Sequence, residues 1–138
     1  MIKAVIFDLD NTLLDFIKMK REAVVNALLS MKEAGLELDI DKSYDKVMSI
    51  YESEGWEHQL VFNKFLMDEI GYVDNKFLAA AIVAYRRGKE ANLKAYPNVH
   101  RTLNHLMKIG IRLAIVSDAP SREAVSYTHL TLPTTPYV

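Results

Sequence analysis

The chain has 138 residues, 50% hydrophobic and 25% charged, with a formal net charge of −1; that is the size and composition of one ordinary folded domain and excludes wholesale disorder. The balanced charge leaves no basic excess for nucleic acid or an anionic membrane, and the lack of cysteine excludes disulfides, thiolate metal sites and cysteine nucleophiles. Asp8 and Asp10 interrupt the apolar start too early for a signal segment, and no run reaches the roughly 20 apolar residues of a spanning helix, so a soluble, cytoplasmic protein is expected.

Residues 3–7 form a short apolar run that stops at Asp8, which predicts a strand buried on both faces in a parallel sheet. The period then becomes helical. Ala23, Val24, Ala27, Leu28 and Met31 form one stripe with Gly35 as its stop. Tyr44, Val47, Met48 and Tyr51 form a second, with Asp41 and Ser43 as candidate caps. Phe62, Phe65, Leu66, Glu69 and Ile70 mark a third helix before Gly71, and Phe77, Leu78, Ala81, Ile82 and Tyr85 a fourth. A fifth starts near Pro97, turns Val99, Leu103, Leu106 and Met107 inward, and stops at Gly110. Residues 111–116 read as a second buried strand, ending at Ser117-Asp118. Both strands thus put small polar residues at their carboxyl ends, the edge where open parallel sheets bind ligands. Residues 126–138 contain no Asp, Glu, Lys or Arg and hold Pro133 and Pro136. They are expected to lie outside the fold as a non-native tail.

The chemistry concentrates in Asp8-Leu9-Asp10-Asn11-Thr12. Two carboxylates two residues apart after a strand can approach one Mg²⁺, one through its side chain and one through its backbone carbonyl. With the metal cancelling its charge, the first can attack a phosphoryl group. The second can protonate the leaving alkoxide and later deprotonate water. The hydroxyls of Thr12 and Ser117, with backbone N–H groups, could bind the phosphoryl oxygens. An Asx-turn uses the same residue types, but the strand, both aspartates, Thr12 and Ser117 occur together here. The histidines His58, His100, His105 and His129 share no metal-ligand spacing and read as surface or packing residues. Trp56 and His58 could line a substrate-facing rim or anchor a core. Arg86, Arg87 and Lys89 read as a solvated helix end in preference to a phosphate site.

Phe7 to Leu13, Phe-Asp-Leu-Asp-Asn-Thr-Leu, closely resembles the first motif of the haloacid dehalogenase superfamily, and Ile115 to Asp118 resembles its second. The resemblance covers residues 1 to about 125. It implies an α/β fold, a Rossmann-like parallel-sheet core over 1–15 and 96–125 with an all-helical cap, 16–95, inserted after the first strand. It implies Asp8 as nucleophile and Mg²⁺ ligand, Asp10 as general acid/base and second metal ligand, and Thr12, Ser117 and Asp118 as the phosphate-binding residues. The expected activity is Mg²⁺-dependent hydrolysis of a small phosphorylated metabolite through an aspartyl phosphate. An acid at residue 10 favours alkoxide over halide departure, which makes haloacid dehalogenation the weaker reading. The same residues also leave open a phosphomutase-type phosphotransferase, in which a second substrate accepts the phosphoryl group, and a non-catalytic binding module. Tyr85-Arg-Arg-Gly-Lys and Tyr96-Pro-Asn-Val look like a branch acting on small phosphosugars, glyceraldehyde 3-phosphate among them. The family pattern continues with a lysine motif and an acidic metal-binding motif, and the 21 residues after Ser117 contain neither. The chain is therefore expected to be the amino-terminal part of a phosphatase and inactive as written, with Val5, Phe7, Leu113 and Ile115 partly wet.

Overall fold

The computed structural model describes residues 1–56 and 58–118. Its elements run β1 (Ala4–Phe7), α1 (Phe16–Glu33), α2 (Ile40–Glu54), α3 (Val61–Ile70), α4 (Asn75–Asn92), α5 (Val99–Lys108) and β2 (Arg112–Ile115). The two strands pair in parallel, Ala4 opposite Arg112 and Phe7 opposite Ile115. A parallel pair cannot be closed by a hairpin, and the five helices fill the crossover. The chain divides into two compact units: Met1–Lys18 with the described residues from Leu93 onward, and Met19–Asn92. The boundary falls inside α1.

In the first unit, the register places Val5, Phe7, Leu113 and Ile115 on one face of the sheet. The first three are half-buried, as expected, but Ile115 is only 2% exposed. The other face differs from the expectation of burial on both sides. Ala4 and Arg112 are exposed there, and Ile6 is 66% exposed. The physical reason is layering: α5 packs on β2, and one helical layer covers one face of a sheet. Within α5, Val99 and Leu103 are buried, whereas Met107, expected inward, is exposed. Met107 is i+4 from Leu103 and i+8 from Val99, so it sits at the margin of the stripe that Val99, Leu103 and Leu106 centre, where a side chain in the last turn of the helix meets solvent.

The second unit is built on the predicted stripes. Val24, Leu28 and Met31 of α1 join Val47 and Tyr51 of α2, Phe62, Phe65 and Leu66 of α3, and Ala81 of α4 in one buried cluster. Each of the larger side chains contributes about 1.5–3 kcal/mol by leaving water. Gly35 (φ +111°) ends α1, and the Leu36 N–H reaches back to the Met31 carbonyl at 3.0 Å. The cap of α2 is neither Asp41 nor Ser43. Asp39 holds extended dihedrals and its Oδ1 accepts from the Lys42 N–H at 3.0 Å, which leaves Asp41 in the first turn and Ser43 buried within the helix. Ile82 also departs from expectation, at 42% exposed. Phe77, Leu78, Ala81 and Tyr85 already complete the inward stripe of α4, and Ile82 falls beside it. Trp56 stacks on Tyr51, ring centroids 6.0 Å apart, and packs against the cluster; it anchors a core.

The second unit also buries a cation that the apolar pattern did not reveal. Lys20 is 3% exposed, with Nζ 4.2 Å from the centre of the Tyr51 ring and 5.4 Å from that of Tyr85. It precedes Ala23 and Val24 by three and four residues, so it lies on the apolar stripe of α1. Its methylene stem suits that face, and the two ring faces offset part of the desolvation of its charge. Arg86 and Arg87 are exposed, as a solvated helix end requires, whereas Lys89 is half-buried with Nζ 5.5 Å from the centre of the Tyr85 ring.

A Cβ at Gly88 would sit 2.7 Å from Asn26 Nδ2 and 2.9 Å from Ala23 Cα, so the backbones approach closely only because residue 88 has no side chain. Gly88→Ala should cost about 1–3 kcal/mol through overpacking, read as a lower urea midpoint; an unchanged midpoint would contradict the close approach. Lys64 pairs with Glu54 across α3 and α2 at 2.6 Å, which lowers the Glu54 carboxyl and raises the Lys64 ammonium through a hydrogen bond and charge. A lowered carboxyl stabilises above its ordinary titration and loses that contribution as pH falls through the lowered value. Lys64→Met should therefore lower the melting temperature slightly at neutral pH, with the gap closing in acid. A gap that persists after Glu54 is protonated would assign it to something other than this pair.

Candidate active site

Leucines build the turn after β1. Leu9, Leu13 and Leu14 are buried, while Asp8, Asn11 and Thr12 between and before them are exposed. The Leu9 carbonyl accepts from the N–H groups of Thr12, Leu13 and Leu14 at 3.3, 2.9 and 3.1 Å. Asn11 takes a left-handed backbone (φ +58°), and its N–H donates to the Leu14 carbonyl at 2.8 Å. A second clamp comes from residues 94–96. Tyr96 N–H donates to the Leu13 carbonyl at 3.0 Å, Asp15 N–H to the Lys94 carbonyl at 3.1 Å, and Leu14 bridges to Ala95. Backbone hydrogen bonds thus satisfy the polar groups of a tightly folded segment whose apolar side chains are buried.

The predicted residues fall at this turn and at the neighbouring strand end. Asp8 is exposed and its Oδ2 accepts from Thr12 Oγ1 at 3.4 Å. Asp10 is half-buried, with Oδ1 shielded from solvent. Strand pairing runs one step beyond the last registered residues, because the Val116 N–H donates to the Phe7 carbonyl at 2.9 Å. Asp8 and Ser117 therefore follow directly on two paired strand ends. Ser117 is half-buried and Asp118 exposed. Asp8, Asp10 and Thr12 share one turn, and Ser117 and Asp118 belong to the adjacent strand's end.

Two further side chains tie this turn to α1. Asp15 Oδ1 accepts from the Lys18 N–H and Asn11 Oδ1 from the Ile17 N–H, each at 3.3 Å. Asp15 is an ordinary N-cap. Asn11 is not recoverable from helix-start rules because it lies five residues before the helix. The one sequence signal is its type, since asparagine tolerates the left-handed region better than most residues.

The donor chemistry here is hard oxygen: the Asp8 carboxylate, exposed, and the Asp10 carboxylate and carbonyl beside it. That suits Mg²⁺, which commonly uses one or two carboxylates with phosphate and water. Among the described residues no cluster of three or more His, Cys, Asp or Glu could hold a metal ion, so the fit rests on this pair. His100 and His105 are exposed and His58 half-buried, while His129, with the whole of 126–138, lies outside the described residues. No helix among the described residues is long and apolar enough to cross a membrane.

The haloacid dehalogenase-like hydrolase family matches residues 2–133. The glyceraldehyde 3-phosphate phosphatase of Methanopyrus kandleri is 40% identical over 119 residues, 85% of this chain and 51% of the relative. The chain spans about half the length of the curated relatives it matches. Among solved structures, a Thermotoga maritima protein provisionally designated a beta-phosphoglucomutase superposes with a TM-score of 0.67 at 23% identity, over 95% of this chain and 60% of that one. The provisionally designated HAD-hydrolase YfnB of Bacillus subtilis, bound to magnesium, gives 0.57 at 20% identity, over 93% and 57%. These likenesses show a shared α/β fold. With a match over nearly its whole length, the chain belongs to the haloacid dehalogenase-like hydrolase family.

Proposed function

We propose that the protein is a Mg²⁺-dependent phosphatase of small phosphorylated metabolites that works through an aspartyl phosphate on Asp8. The observation that carries this reading is the pair of carboxylates on one backbone-locked turn at the carboxyl edge of a parallel strand pair, in a member of a hydrolase family. Asp8 attacks phosphorus in line, and the bond between phosphorus and the ester oxygen breaks. Asp10 gives its proton to the departing alkoxide. In the second half, Asp10 removes a proton from water, whose oxygen attacks phosphorus, releasing inorganic phosphate and restoring Asp8. The hydroxyls of Thr12 and Ser117 and the backbone N–H of Asp118 hold the phosphoryl oxygens. A Mg²⁺ held by the Asp8 carboxylate and the Asp10 carbonyl would supply the charge neutralisation that lets an anion attack an anion.

Relatives named glyceraldehyde 3-phosphate phosphatase support a phosphosugar-type substrate. The helical segment 16–95 is proposed as a cap that selects it, and the compact unit Met19–Asn92 is consistent with that division. A proton donor at residue 10 argues against halide as the leaving group, because halide departs without one. A cytoplasmic location is part of the same proposal.

Phosphate release by the full-length protein from glyceraldehyde 3-phosphate and related monoesters should require Mg²⁺ and stop in excess chelator. Asp8→Asn should abolish turnover, since an amide neither attacks phosphorus nor balances the metal's charge. Asp10→Asn should slow turnover by about 10²–10⁴-fold. Undiminished release by Asp8→Asn would sink the mechanism. Exchanging 16–95 for another relative's segment should reorder substrates while keeping Mg²⁺ dependence; an unaltered order would put selection elsewhere.

A further inference from the structure

We infer that Asn11, to which no chemical step is assigned above, is the positioning residue of the acidic turn: it fixes Asp8 and Asp10 by locking the turn to the first turn of α1. The inference rests on the phosphatase reading for what is positioned, and on the geometry of Asn11 for how. Two independent properties of this side chain meet at one place. Its backbone is left-handed (φ +58°), a conformation that costs most residues and suits asparagine or glycine. That dihedral turns its N–H onto the Leu14 carbonyl at 2.8 Å and directs the chain back over Leu9. Its Oδ1 then accepts from the Ile17 N–H at 3.3 Å, one of the first-turn N–H groups of α1 that has no partner within the helix.

The consequence is a closed circuit. Asp10 bridges to Leu14, Asn11 holds Leu14 by backbone and Ile17 by side chain, and Asp15 beside them caps Lys18. The carboxylate of Asp8 stays exposed at the start of this circuit, and Asp10 is the immediate neighbour of the residue that closes it. A shift of either carboxylate by a fraction of an ångström would spoil in-line attack or proton delivery, because near-attack geometry tolerates little error. Glycine at residue 11 would keep the dihedral and lose the side-chain bond. Alanine would lose both, and aspartate would keep both.

These substitutions separate the two properties in the full chain, using amide exchange and carboxyl ¹³C spectra. In Asn11→Gly the Ile17 amide should exchange about tenfold faster, and the Asp10 side-chain carboxyl resonance should move or broaden. Asn11→Ala should do at least as much, and Asn11→Asp should retain the parent's Ile17 protection. Unchanged Ile17 exchange in Asn11→Gly overturns the inference, as does faster exchange with Asp8 and Asp10 resonances that stay sharp and in place. Adding Mg²⁺ to the parent keeps the two readings apart. Asp8 and Asp10 resonances that ignore the metal count against the metal site proposed above, while the exchange and carboxyl comparisons still decide the role of Asn11.

Discussion

The carbonyl of Leu9, taking three backbone N–H groups at once, is the constraint on which the acidic turn depends. Two aspartates so close in sequence repel each other, and an unstructured loop would let them separate in water. Here the chain cannot relax that way. Leu9, Leu13 and Leu14 are buried, and withdrawing them to free the turn would expose apolar surface and break several backbone bonds, each contributing about 0.5–1.5 kcal/mol net. The charge is held in place by uncharged interactions. Such preorganisation is what electrostatic catalysis requires, since groups already aimed at a developing charge need not reorganise during the reaction.

The strand pair supplies the second half of the arrangement. Parallel pairing brings the ends of β1 and β2 to the same edge, although Asp8 and Ser117 lie far apart in sequence. Val116 extends the ladder by one bond to Phe7, so the positions of Asp8 and Ser117 follow from β-sheet register. The intervening chain uses its length on a helical unit with its own apolar cluster, where α2 and α3 are joined by the pairs Lys46–Glu69 and Glu54–Lys64. A unit that carries its own core can vary its exposed surface while the acidic turn keeps its hydrogen bonds.

Much of this was legible in the residues because apolar periodicity and strand-end polarity are local signals. The runs at 3–7 and 111–116 fall within a residue of β1 and β2, and all five helical stripes correspond to helices. What sequence spacing could not resolve depends on three-dimensional competition. Asp39, Asp41 and Ser43 are all acceptable caps, and the backbone of residue 39 decided among them. Ile82 and Met107 have the right hydropathy and the right spacing, i+4 from Leu78 and from Leu103, but sit at the margins of stripes whose centres other side chains already fill. Lys20 was invisible because a charge is read as solvent-facing until two tyrosine rings are found over it. The turn around Leu9 is made of backbone bonds, which carry no side-chain signature, so the pattern Asp-x-Asp-Asn-Thr indicates the chemistry and not the lock. Asn11 joins the two, being a motif residue whose conformation only the structure gives.

The central claim is that this locked turn presents Asp8 as a nucleophile toward phosphorus. It is tested most directly by mixing the full-length protein with Mg²⁺ and a small phosphomonoester, quenching rapidly in acid, and mapping peptides by mass spectrometry. The account predicts one phosphoryl group on the peptide containing Asp8, removed by hydroxylamine as an acyl phosphate should be and absent from Asp8→Asn. Phosphate release in the same mixture with no phosphorylated peptide at any quench time, or with the group on another residue, would contradict it.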